Sequence, residues 1–183
     1  RTSGDTFLRP VIAQWAVSSI LARGAVLRTT GMKGRTVLLN VTAHHARLED
    51  LLGLAVKSGT PPLTGRVKID TRFNLPPGGE DITKRLNLSG NFSIQSARFT
   101  SPEVEEKMTS LSRRGEGRPG QDEGETVALN MKGHFVLSNG VMAFSRLAFD
   151  IPGASITLHG AYGLLSEDID FRGTVRLKAE LSQ

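Results

Sequence analysis

The chain has no cysteine. That excludes a disulfide framework, a thiolate nucleophile and cysteine-bound metal, and it leaves the redox compartment open. Aromatic residues are scarce: eight Phe, one Trp and one Tyr among 183 residues. The basic residues behind the net charge of +5 are scattered, apart from Arg113, Arg114 and Arg118. Nucleic-acid binding needs a basic stripe interleaved with stacking aromatics, so no nucleic-acid partner is expected. A long hydrophobic run is also missing. The most apolar stretch, 11–27, is broken by Gln14, Ser18, Ser19 and Arg23, which makes it a poor transmembrane segment. No leader-like segment opens the chain, and residue 1 is Arg. The expectation is a piece of a longer protein, with any membrane anchor outside it.

What is present suits one folded unit over 1–183. Hydrophobic residues at 38% and charged residues at 22% fit neither a disordered nor a membrane-embedded chain. Val11, Ile12, Trp15, Ala16, Ser19 and Ile20 stand at helical spacing, which predicts a helix over 10–21, with a strand as the alternative. Alternation at Val37, Leu39, Val41 and Ala43 predicts a strand over 35–43, preceded by another over 25–30. Leu48, Leu51, Leu52 and Ala55 share one helical face over 47–57, which Gly59, Pro61 and Pro62 end. Strand periodicity resumes at Leu63 and runs to Phe73, a loop covers 76–79, and a long strand is predicted over 84–100.

Ser101 and Pro102 suit the N-cap and first position of a helix over 102–112, and Glu103 and Glu105 suit its dipole. A polar, glycine-rich loop is predicted over 113–125. Four strands follow, near 126–138, 141–151, 154–165 and 169–181. Asn139-Gly140 is a strong hairpin signal, Pro152-Gly153 makes the next turn, and Ser166-Glu167-Asp168 the last. Strands of roughly twelve residues span about 40 Å, twice the usual length.

One pattern recurs: apolar at −4 and −2, glycine at 0, apolar at +2 and +4. It occurs as Leu86, Leu88, Gly90, Phe92, Ile94, and as Leu129, Met131, Gly133, Phe135, Leu137. The third copy is Ile156, Leu158, Gly160, Tyr162, Leu164, and the fourth Ile169, Phe171, Gly173, Val175, Leu177. Gly65 with Leu63, Val67 and Ile69 makes a partial copy. Of the twenty glycines, about 0.4 would match by chance, so four full copies call for a cause. The intervening positions are mostly polar, so each strand has a greasy face and a wet face. Glycine weakens a strand and marks a bend or a close backbone approach. If these glycines align across the sheet, it folds lengthwise into a trough. The alternative is an ordinary sandwich with a closed apolar core, recruiting protein partners by strand addition at an exposed edge.

Signals for catalysis are weak. Gly115, Gly117 and Gly120 match G-x-G-x-x-G, but the run follows a helix and contains Pro119. His44 and His45 are adjacent, which on a regular strand points them to opposite faces. His134 and His159 each flank a pattern glycine on the wet face. Glu167, Asp168 and Asp170 read as turn chemistry, and Glu103, Glu105 and Glu106 as a helix start. No catalytic residue, metal site or cofactor is expected.

Several stretches resemble the C-terminal region of the AsmA family of bacterial envelope proteins. They are Gly24-Ala25-Val26, Arg47-Leu48-Glu49-Asp50-Leu51-Leu52, Pro61 to Gly65, Leu75-Pro76-Pro77-Gly78 and Leu88-Ser89-Gly90-Asn91-Phe92. Further along come Leu111-Ser112-Arg113-Arg114 with Gly117, Phe149-Asp150-Ile151-Pro152-Gly153-Ala154, Leu158-His159-Gly160-Ala161-Tyr162 and Asp170-Phe171-Arg172-Gly173. The ordered set covers nearly the whole chain. The resemblance implies a periplasmic protein tethered to the inner membrane by a segment outside this chain, in the company of repeating β-groove proteins that pass phospholipids between membranes. It implies a role in outer-membrane assembly and assigns no catalytic residues.

The expected fold is mainly β: a long, strongly bent antiparallel meander, an open U-shaped groove or half-barrel, with two or three short helices. The expected function is lipid binding or lipid conduction without catalysis. Acyl chains would lie against Val67, Ile69, Leu88, Phe92, Ile94, Met131, Phe135, Leu158, Tyr162, Phe171 and Val175, with Gly65, Gly90, Gly133, Gly160 and Gly173 bending the sheet. The expected partners are phospholipid or another acyl-chain lipid, further modules of the same chain, and envelope proteins.

Overall fold

The computed structural model describes residues 4–55, 61, 63–117 and 129–178. Its strands are β1 (Thr6–Trp15), β2 (Ser18–Arg28), β3 (Arg35–Arg47), β4 (Leu63–Leu75), β5 (Asn87–Phe99), β6 (Leu129–Ser138), β7 (Val141–Ile151), β8 (Ala154–Gly163) and β9 (Ile169–Leu177). The helices are α1 (Leu48–Ala55), α2 (Ile82–Arg85) and α3 (Pro102–Gly115). The strands form a single antiparallel sheet in sequence order, β1 through β9. It does not close: β1 and β9 are its two edges. The mainly β meander with short helices stands as the sequence predicts. A sandwich would need a second sheet, and every described strand belongs to one.

The N-terminal expectation is overturned. Residues 10–21 form no helix but the end of β1 and the start of β2, joined at Ala16-Val17 with Ala16 at φ 51°. The helical spacing misled because both faces of this hairpin are apolar. Val11, Ala13 and Ile20 share one face, while Phe7, Ile12, Leu21 and Ala25 share the other. A bulge between Leu8 and Val11 also shifts the alternation and absorbs Pro10, a usual place for proline in an edge strand.

Elsewhere the differences are of extent. The predicted helix 47–57 is α1, whose predicted last residues 56–57 lie outside the described ones. The predicted strand 84–100 divides into α2 and β5. Asp81 caps α2, its carboxylate accepting from Thr83 N–H at 2.8 Å. Ser101 stands at the N-cap of α3 with Pro102 following, though its hydroxyl makes no capping bond. The predicted loop 113–125 begins inside α3, and its residues 118–125 lie outside the described ones, as do 126–128 and 179–181 of the predicted strands. Asn139 (φ 51°) and Gly140 (φ 73°) form the expected hairpin turn.

The core lies at one end of the apolar face. Ala43, Ala46, Val67, Ile94, Ala97, Leu129, Met131, Phe149, Ile151, Ala154 and Ile156 are buried together there. Leu48 and Leu51 of α1, with Met108 and Leu111 of α3, pack onto this cluster. Two polar devices fix α1. The Ser18 hydroxyl donates to Asp50 at 2.6 Å and accepts from Arg47 N–H at 2.8 Å. Glu49 accepts from Gly65 N–H at 3.1 Å and from Arg47 Nε at 2.6 Å. Helix α3 contacts β5 and β8. Its C-terminus ends on the β7–β8 turn, where Ser112 Oγ donates to the Pro152 carbonyl at 2.8 Å. Both helices therefore cover the same end of the sheet.

Candidate functional site

The register sets the apolar face out in rows across the strands. One row runs Leu8, Gly24, Leu39, Phe73, Leu88, Leu137, Met142, Tyr162, Ile169. The next runs Val11, Ala22, Val41, Thr71, Gly90, Phe135, Phe144, Gly160, Phe171. The third runs Ala43, Ile69, Phe92, Gly133, Leu147, Leu158, Gly173. The fourth, Ala46, Val67, Ile94, Met131, Phe149, Ile156, Val175, lies under the helices.

The pattern glycines do not fall in one line. The four full-copy glycines occupy the second and third rows in stagger, each opposite a large side chain of a neighbouring strand, while Gly65 lies outside these rows at the β4–β5 irregularity, against Ile94 and Ala97. Gly133 lies under Phe92, since an added Cβ would meet ring atoms at 2.9 and 3.0 Å. Gly160 lies under Phe171 (2.9 Å to Cδ1) and Gly173 under Leu158 (2.6 Å to Cδ2). A Cβ at Gly160 or Gly173 would come nearer still to backbone, the Asp170 and Thr157 carbonyl oxygens, so glycine here admits the next strand's backbone as well as a ring or branched chain leaning across from it. The aromatic contacts follow. Phe92 meets Phe135 and Phe144, each with centroids 6.2 Å apart, and Phe144 meets Phe171 at 5.7 Å.

Four bulges bend the sheet as well, one in each of β1, β3, β5 and β7. Arg9-Pro10 lies opposite Arg23, His44-His45 opposite Lys68, Gln95-Ser96 opposite Asn130, and Ser145-Arg146 opposite His159. In the last three the doubled residues are exposed. The residues flanking the β3 and β5 pairs, Ala43 and Ala46, Ile94 and Ala97, are all buried. Two residues outside against one lengthen the outer surface, so the strand curves around its apolar side. His44 and His45 thus do not point to opposite faces. Both line one outer recess of 440 Å³ with Arg47, Arg66 and Lys68.

The predicted contact residues divide by depth. Val67, Ile94, Met131 and Phe135 are between 3% and 7% exposed, and serve as core rather than open surface. Ile69, Leu88, Phe92, Leu158, Tyr162 and Phe171 are half-buried on the face beyond the helices. Val175, at 50% exposure, lies on the β9 edge. The glycine pattern missed Leu39, Phe73, Met142 and Phe144, which share that half-buried surface. A usable signal lay in β7: Met142 and Phe144 alternate, then Leu147, Phe149 and Ile151 resume one residue out of phase, which is the trace of a bulge.

The face carries almost no chemistry. Among the described residues no group of three or more His, Cys, Asp or Glu converges. His134 Nδ1 sits 3.1 Å from Asn91 Oδ1 on the outer face. The Glu49 carboxyl is held below its ordinary pKa. Burial pushes it up, and this is outweighed by its own backbone N–H, the Arg47 side chain and Gly65 N–H. No helix among the described residues is long and apolar enough to cross a membrane. No protein-family model, curated protein or solved structure matches the chain.

Proposed function

We propose that this chain is a non-enzymatic lipid-binding and lipid-conducting module of an AsmA-like periplasmic protein, tethered to the inner membrane by a segment outside it and serving phospholipid transport or outer-membrane assembly. One observation carries the reading. An unclosed nine-stranded sheet has its apolar face covered by α1 and α3 at one end, while Leu39, Phe73, Leu88, Met142 and Tyr162 stay half-buried beyond them, flanking a buried Leu137 in the same row. The bulges curve that face inward, which gives an acyl chain walls as well as a floor. Burying each methylene contributes about 0.8 kcal/mol, so a chain is held without a directional polar contact. Broad tolerance for headgroups follows, and a face without converging polar groups suits a conduit better than a reaction centre.

The experiment is a photo-crosslinking scan in the chain purified without detergent, combined with native mass spectrometry. Probes replacing Leu88, Met142 and Tyr162 should capture lipid, and probes at Lys132 and Arg72 on the outer face should not. Native spectra should show a copurified lipid mass. Capture of protein alone by the apolar-face probes sinks the lipid reading and leaves a partner-binding β module.

A further inference from the structure

The two edges of the sheet differ. In β1 the ladder is interrupted at Arg9-Pro10, and Pro10 has no N–H to offer a neighbour. β9 pairs with β8 from Ile169 to Leu177 without interruption, and no strand among the described residues pairs with its far side. It also leaves Ile169 at 72%, Val175 at 50% and Leu177 at 52% exposure. A regular, apolar, uncovered edge of this kind is a template for another strand.

We propose that β9 pairs antiparallel with β9 of a second copy of this chain, about a two-fold axis through Gly173. The strand reads Ile-Asp-Phe-Arg-Gly-Thr-Val-Arg-Leu and is complementary to itself about that centre. Ile169 faces the second copy's Leu177, and Phe171 its Val175, all on the apolar side. Asp170 faces the second copy's Arg176 on the outer side, and the symmetry makes this ion pair twice. Within the chain Asp170 pairs with Arg172 of its own strand, at 3.8 Å and in open solvent.

Neighbouring registers fail. Paired residues must point to the same face, so the axis has to pass through a residue. Moved to Arg172, it sets that guanidinium against itself. Moved to Thr174, it sets Arg172 against Arg176 twice. Like charges directly opposite are destabilising, and a centre at Phe171, which would pair Asp170 with Arg172, aligns only Ile169 to Gly173, so charge and paired length together pick Gly173 as the centre. A perpendicular two-fold keeps both apolar faces on one side, which joins two nine-stranded sheets into one continuous surface. The contact is closed, unlike a β9-to-β1 contact, which would propagate into fibres.

Sedimentation velocity over a concentration series tests it. The unaltered chain should show a monomer–dimer equilibrium. Asp170→Arg alone sets Arg against Arg, and Arg176→Asp alone sets Asp against Asp. Each should weaken self-association about ten-fold or more, as two attractive pairs become repulsive. Mixing the two single variants should restore the dimer as a heterodimer, since every cross-strand pair is then of opposite sign. These positions are exposed, so circular dichroism should show unchanged strand content. A chain that stays monomeric throughout the series overturns the proposal. So does a dimer indifferent to both swaps, or one that mixing fails to restore.

Discussion

Gly115 to alanine is the substitution on which general rules and this fold disagree in sign. In a helix, exchanging Gly for Ala ordinarily stabilises by up to about 1 kcal/mol. Gly115 is the last residue of α3, however, and it is buried against the β7–β8 turn. A Cβ there would fall far inside 3.0 Å of the Gly153 carbonyl oxygen, a separation that real Cβ contacts essentially never breach. Because the obstacle is backbone, helix and turn must part by about 1 Å rather than rotate a side chain away. Parting them gives up the bond from Ser112 Oγ to the Pro152 carbonyl, about 1 kcal/mol. It also loosens Met108 and Leu111 on the core, roughly 1–2 kcal/mol for partial loss of burial. Set against the helix gain, the net destabilisation is about 1–2 kcal/mol. For a chain of this size that lowers the melting temperature by about 2–8 °C. Urea titration and thermal melts followed by circular dichroism read it directly, and a dye for exposed apolar surface should bind more strongly. A Gly115→Ala chain as stable as the parent, or more so, refutes the docking of α3 on that turn.

Other perturbations follow from the same geometry. Leu129→Ala removes a core side chain with 0% exposure and should cost about 3–4 kcal/mol in urea titration. Leu88→Ala, half-buried beyond the helices, should cost clearly less while reducing the lipid retained in native spectra. Phe144→Ala loses its contacts with Phe92 and Phe171. Two aromatic pairs amount to about 1–3 kcal/mol, and a double-mutant cycle with Phe171→Ala should return a coupling of about 1 kcal/mol. Glu49 has a folded-state pKa below its ordinary value of 4.5. Its stabilisation is therefore present above that value and lost as pH falls through the lower folded one. Glu49→Gln should narrow its stability gap from the parent on acidification, and a gap that widens would contradict the assignment.

The strand periodicity from Leu63 onward, the Asn139-Gly140 hairpin and the Ser101-Pro102 helix start were legible because each rests on local chemistry. Alternation follows from the pleat, the hairpin from φ > 0 at two residues, and the helix start from its free N–H groups. The one greasy face per strand was equally determined by the sequence, together with the glycines that interrupt it. The N-terminal hairpin was not legible, because an edge strand apolar on both faces imitates a helix and only pairing with β3 resolves it. Nor were the bulges of β3 and β5: an extra residue at His44-His45 or Gln95-Ser96 has meaning only against the partner strand that lacks it. Register decided what the glycines do, setting Gly133 under Phe92 and Gly160 under Phe171 in two staggered rows instead of one crease. Tertiary packing also divided the apolar face, since hydrophobicity alone could not separate Val67 from Leu88. The sequence made the face apolar, and the placement of α1 and α3 at one end decided which part of it became core and which part stayed open.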